Sequence, residues 1–220
     1  ISLKGRNFFA LEDFTPEEIR YLLDLAIRLK KESREHIKHQ DYIGEDFLLL
    51  FEMNSTRTRC AFETSANDLG MGTTFLSNSH FGNTETIKDS MRVFSEMYSA
   101  IGYRGAKHST LLEMAKDSAV PIINGYTDHQ HPTQMLADAM TLDEVWGREN
   151  YKGKTLCFIG RGGAVNSFSY GVMCAMLGMN FTYITSYMEM DEALEGLTAA
   201  EKATFRKFVP EGVVSPNWDT

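Results

Sequence analysis

The sequence predicts an α/β fold, a parallel sheet flanked by helices, from three observations. Strand-sized apolar runs alternate with stretches of helical apolar spacing along most of the 220 residues. One run, Phe47 to Phe51, is continuously apolar, the pattern of a strand covered on both faces. Helix-start and helix-stop residues fall where the spacing changes.

Taken in order, Thr15-Pro16-Glu17-Glu18 opens the first helix. Thr15 caps it, Pro16 suits its first position, Glu18 completes a capping box, and Phe14 with Ile19 fits a hydrophobic staple. Ile19, Leu22, Leu23, Ala26 and Leu29 continue at helical spacing, and the charged run Lys30 to Glu35 reads as a solvated face or loop. A strand over 47–51 follows, then a helix over 59–69 that stops at Gly70 and a strand over 73–76. Next come a helix over 87–98, with Ile87, Met91, Phe94 and Met97 on one face, and a strand over 100–103. A helix over 111–118, a strand over 120–123 and a helix over 133–145 complete this unit.

Gly147 to Gly153 is a polar break, and a boundary near residue 148 divides the chain into 1–147 and 148–220. The second part reads as strand 155–159, a Gly-rich turn, helix 165–177, strand 180–185 and helix 190–208. This is an incomplete Rossmann-like unit, since two parallel strands are too few for a layered core of their own.

Composition narrows the function classes. Hydrophobic residues at 43% and charged residues at 24% are ordinary for a globular chain, which excludes disordered and collagen-like classes. No apolar run approaches the roughly 18 residues that span a bilayer. The net charge of −8 and the lack of a basic stripe disfavour nucleic acid, so any anionic ligand needs a local cationic pocket. Cys60, Cys157 and Cys174 lack metal-ligand spacing and read as reduced thiols, with no metal expected. No leader pattern is visible and the first residue is not Met, which reads as a trimmed start; the expected setting is cytoplasmic.

The segment richest in chemistry is Ser55-Thr56-Arg57-Thr58-Arg59, which follows a buried strand and opens a helix. First-turn N–H groups lack intrahelical partners and carry partial positive charge; hydroxyls add donors, and a guanidinium forks onto phosphate oxygens. The segment therefore suits an oxyanion or phosphate, although a capped helix with surface arginines fits it too. His131-Pro132-Thr133-Gln134 lies at another strand-to-helix loop, and Arg104 ends a strand. All three segments fall at carboxyl ends of strands, where open parallel sheets collect ligands. The turn Gly160-Arg161-Gly162-Gly163-Ala164-Val165 is close to a dinucleotide fingerprint, but Val165 stands where the third glycine belongs. No nucleotide or other cofactor is expected.

Phe51 to Glu63, with Ser55-Thr56-Arg57-Thr58-Arg59 at its centre, resembles the carbamoyl-phosphate signature of the aspartate/ornithine carbamoyltransferase family. Cys60-Ala61-Phe62-Glu63 leans to its ornithine branch. Glu85 to Asp89, Tyr103-Arg104-Gly105 and His131 to Asp138 resemble the same family in the same order, over about residues 3 to 146 and more weakly to 185. The resemblance implies an N-terminal carbamoyl-phosphate domain, a C-terminal amine-binding domain continuing beyond this sequence, and a homotrimer with sites at subunit interfaces. It implies carbamoyl transfer to the side-chain amine of ornithine, giving citrulline and phosphate.

By resemblance, Ser55, Thr56, Arg57 and Thr58 hold the phosphate; Arg104, His131 and Gln134 address the carbamoyl group. His80 stands where relatives carry a Gln reaching into the neighbouring subunit's site. Met53 replaces a common Lys. Of the paired asparagines expected to hold the amino acid, Asn166 alone remains. Another acceptor such as putrescine, a non-catalytic phosphate binder, or a nucleotide-dependent oxidoreductase built on the Gly160 turn are the competing readings.

Overall fold

A computed structural model describes residues 1–160 and 165–184. Helix α1 (Pro16–Arg34) leads into β1 (Asp46–Phe51), α2 (Thr56–Asp68) and β2 (Gly72–Leu76). Helix α3 (Ile87–Met97), β3 (Ala100–Arg104), α4 (His108–Asp117), β4 (Ile122–Tyr126) and α5 (Pro132–Trp146) follow. The four strands form one parallel sheet in the order β2-β1-β3-β4. After β1 the chain first moves to one side, to β2, and then crosses to the other, to β3. The carboxyl ends of β1 and β3 therefore flank the point where the winding reverses, which opens a crevice there.

The continuous apolar run of β1 has the predicted cause. Leu48 and Leu50 pack with Met91, Leu111 and Met114 on the face covered by α3 and α4. Phe47, Leu49 and Phe51 pack with Ala66 and Phe62 of α2 on the other face. Leu48, Leu49 and Leu50 are at most 1% exposed. Burial of that completeness stabilises by about 1.5–3 kcal/mol per side chain, so a polar residue on either face would be costly.

Local signals held at the first helix: Thr15 Oγ1 accepts the Glu18 N–H, and Glu18 returns the bond to the Thr15 N–H. Several boundaries differ. Helix α1 continues through Arg34, its charged run forming a solvated helix face with the i,i+4 pairs Arg28–Glu32 and Lys31–Glu35 along it. Helix α2 begins at Thr56 rather than residue 59, since Ser55 is its cap. Helix α4 begins at His108, whose N–H is taken by Asp128. Strand β4 lies at 122–126 rather than 120–123. Ser118 closes a tight turn on Val120, and the N-terminal segment then pairs along the strand, Phe8 with Ile122 and Asn124.

The second unit comprises β5 (Thr155–Ile159), α6 (Val165–Leu177) and β6 (Asn180–Ile184), with β5 and β6 parallel. Its two strands do not stand alone. Val172, Cys174 and Leu177 of α6 share a core with Leu23 of α1 and with Met135 and Ala139 of α5. The predicted helix over 190–208 lies outside the described residues.

Candidate active site

Ser55, Thr56, Arg57, Thr58, Arg104, His131 and Gln134 all line one cavity of about 550 Å³ at the carboxyl ends of β1, β3 and β4. The three segments singled out in the sequence therefore converge. The cavity is completed by Asn54, Ala61 and Phe62 on one side and by Thr133 and Ala137 on the other. None of these had been given a role in the site from the sequence, although Thr133 lies in a segment singled out there. Helical spacing carries the signal for some of them: Phe62 lies one turn beyond Thr58, and Ala137 one turn beyond Thr133.

The β1 side is built by the cap. Ser55 Oγ accepts the Thr58 N–H at 3.3 Å, which leaves the Thr56 and Arg57 N–H groups in the first turn of α2 without an i−4 carbonyl. Arg57 is exposed and reaches the cavity. The second arginine of the motif points elsewhere: Arg59 bonds Glu63 at 2.9 Å and stacks on the Phe75 ring at 3.6 Å. One guanidinium, not two, comes from this segment.

Arg104 is held by two contacts. Its Nη1 donates to the Gly125 carbonyl at 3.1 Å, and its guanidinium lies 4.6 Å over the Tyr126 ring. Pairing between β3 and β4 slips one residue here, so that Tyr103 faces Asn124 while Arg104 faces Tyr126. The slip takes Gly125 out of the ladder and gives Arg104 its carbonyl. Asn124 and Gly125, beyond the strand expected over 120–123, are thus the irregular end of β4. Beneath, the Tyr103 hydroxyl bonds the Glu52 carboxylate, and a Cβ at Gly105 would fall 1.9 Å from that hydroxyl. Only glycine fits there.

His131 caps α5. The loop before it is tied down by Asn124, whose Nδ2 donates to Phe9 O at 2.8 Å and whose Oδ1 accepts the Tyr126 N–H. The buried Gln130 accepts the Leu11 N–H and bonds Glu12. From the second unit, Ser169 Oγ accepts the His131 N–H at 3.1 Å. The imidazole meets the Tyr126 ring edge-on at 5.4 Å. Tyr126 thus organises both groups, with Arg104 over its face and His131 at its edge.

Burial first, and then the Arg104 charge, push His131 down to about 4, against an opposing pull from Asp138. The imidazole is therefore neutral near pH 7 and has one N–H to donate. A histidine whose folded pKa is depressed resists protonation only while folded. Its unfolded form takes up a proton near pH 6.5, so stability is lost as pH falls from about 6.5 towards 4. Urea unfolding at pH 7.5 and pH 4.5 is expected to show a smaller acid loss for His131→Asn than for the parent. Equal losses would contradict the buried, neutral imidazole.

Two anticipated residues lie outside the cavity. His80 is exposed in the loop between β2 and α3, and Asn166 is exposed in the first turn of α6. Residues 161–164 of the Gly-rich turn lie outside the described residues. Among the described residues there is no metal-binding cluster, and no helix is long and apolar enough to cross a membrane.

A sheet crevice lined by a capped helix start, a stacked arginine and a neutral histidine gathers hydrogen-bond donors and positive charge of the kind that suits a small anion. Residues 6–144 match the family described as "Aspartate/ornithine carbamoyltransferase, carbamoyl-P binding domain". The chain belongs to that family. Its curated relatives include "Ornithine carbamoyltransferase" of Caldanaerobacter subterraneus, 44% identical over 182 residues, 82% of this chain and 58% of that protein. "Ornithine carbamoyltransferase, catabolic" of Clostridium perfringens is 46% identical over 183 residues, 82% of this chain and 54% of that one. The chain thus spans just over half the length of these relatives. The solved ornithine carbamoyltransferase of Pyrococcus furiosus superposes with a TM-score of 0.85 at 29% identity, covering 97% of this chain and 67% of the other.

Proposed function

We propose that the cavity binds carbamoyl phosphate, and that the protein of which this chain forms part transfers the carbamoyl group to the side-chain amine of ornithine. The observation that carries this reading is the convergence of Arg57, Arg104 and His131 on one cavity beside the capped start of α2. The phosphate sits on the Ser55 to Thr58 turn, where N–H groups, hydroxyls and Arg57 supply donors. The carbamoyl oxygen faces Arg104 and His131. The neutral amine attacks the carbamoyl carbon, the new C–N bond forms, the C–O bond to phosphate breaks, and the departing phosphate takes up the proton that nitrogen loses. Positioning and oxyanion stabilisation supply the catalysis, and no step calls on a metal or cofactor.

Residues 1–147 are assigned to donor binding and residues 148–220 to the amine-binding part, with Asn166 contributing there. By the same reading the protein is a homotrimer, and His80 reaches a neighbouring subunit's cavity. A reducing cytoplasmic setting agrees with free Cys60, Cys157 and Cys174. Burial pushes the Cys174 thiol up to about 12, which keeps it an inert core group.

The test is ligand-dependent melting. Carbamoyl phosphate at a hundred times its Kd stabilises a one-site binder by about 2.7 kcal/mol, whereas NAD should leave the melting temperature unmoved. Stabilisation by NAD alone would sink the assignment. Product analysis with ornithine, putrescine and aspartate identifies the acceptor, and absence of any carbamoylated amine would leave a pure phosphate binder.

A further inference from the structure

Gln134 lines the cavity, and its carboxamide has a partner that orients it. Its Nε2 donates to Asp138 Oδ1 at 3.0 Å, one turn further along α5. The other oxygen, Asp138 Oδ2, accepts the Tyr170 hydroxyl of α6 at 2.7 Å. A carboxylate only accepts, so the amide edge it holds must be the NH2 edge. Nothing in carbamoyl phosphate chemistry requires an aspartate and a tyrosine at these two places.

We infer that Asp138, anchored by Tyr170 from the second unit, is a positioning residue that locks Gln134 with its Oε1 offered to the cavity, so that the site selects an amide NH2 over a methyl group. The inference rests on the carbamoyl-phosphate reading. A carbamoyl group carries two N–H donors on the carbonyl carbon, where an acetyl group carries none. An acceptor fixed towards that position favours the first. The opposite amide orientation would set NH2 against NH2 and remove the preference. Burial and the Asp138 hydrogen bond raise the Tyr170 phenol well above its usual range, so it remains a donor at working pH. Ser169, the residue before Tyr170 on α6, accepts the His131 N–H. Two successive residues of α6 therefore support two of the three residues that address the carbamoyl group, Ser169 at His131 directly and Tyr170 at Gln134 through Asp138.

The experiment compares two stable phosphonates in the intact chain, phosphonoacetamide and acetonylphosphonate, which differ only in NH2 against CH3. Inorganic phosphate serves as the reference. The parent is expected to favour the amide about tenfold, the scale of a net hydrogen bond or two. In Asp138→Asn the new amide can donate to Gln134 Oε1 while still accepting from Tyr170, which reverses Gln134. The preference should fall to near unity while affinity for inorganic phosphate does not fall. Tyr170→Phe removes the anchor without altering charge and should give an intermediate ratio; it carries the test alone if Asp138→Asn does not fold.

A tenfold preference retained in both variants overturns the inference and leaves the carbamoyl-phosphate reading standing. Loss of inorganic phosphate affinity in parallel with the amide's also overturns it, since that is the mark of general damage. A parent that binds none of the three ligands sinks both readings.

Discussion

Replacing Arg57 with alanine is expected to weaken carbamoyl phosphate binding at least about a hundredfold. The chain carries a net charge of −8, so a phosphate ligand is repelled until it reaches a local concentration of donors. That concentration is narrow. Of the two arginines in the Ser55 to Arg59 segment, Arg59 is committed to Glu63 and Phe75, which leaves Arg57 as this segment's cation at the cavity. A charge-assisted bond to an anion is worth about 1.5–3 kcal/mol, and a guanidinium can make two in parallel. Arg57→Lys keeps the charge but loses the fork and should recover part of the loss. Calorimetric titration with carbamoyl phosphate measures both variants. An Arg57→Ala affinity within threefold of the parent would remove this residue from the phosphate site.

Much of this site was legible because its parts sit where local sequence rules are strong. Ser55 and His131 both lie at helix starts following strands, and Arg104 ends a strand, so topology alone sends all three to one sheet edge. What remained hidden depends on contacts distant in sequence. The register slip at Gly125 follows from how β4 meets β3, and Asn124-Gly125 carries an ordinary turn signal. Tyr126 gave no hint that two cavity-lining side chains would share its ring. The same limit applies to α6. Its apolar run read as part of a separate unit, yet Val172 and Leu177 complete a core with Leu23 and Met135, far away in the chain. Periodicity reports that a face is buried; it does not name the partner.

Arg104→Ala is expected to lower kcat about 100- to 1,000-fold, the usual loss for one aimed oxyanion donor. The structure prepares this side chain before any ligand arrives. Gly125 O, the Tyr126 ring and the strand end fix its orientation, and burial lowers its pKa without discharging it, since arginine stays protonated in proteins. Under the proposed transfer, such a group needs little reorganisation when negative charge develops on the carbamoyl oxygen. The substitution should also leave a second trace, independent of turnover. Arg104's charge is one of the two causes that depress His131, so its removal should move the imidazole's titration up from about 4. The shift should stop short of 6.5, because burial, the larger cause, remains in part. NMR titration of the ring protons reads this directly. A slow variant whose His131 titrates unchanged would mean that the two side chains do not share one field, and that the carbonyl oxygen is polarised by one of them alone.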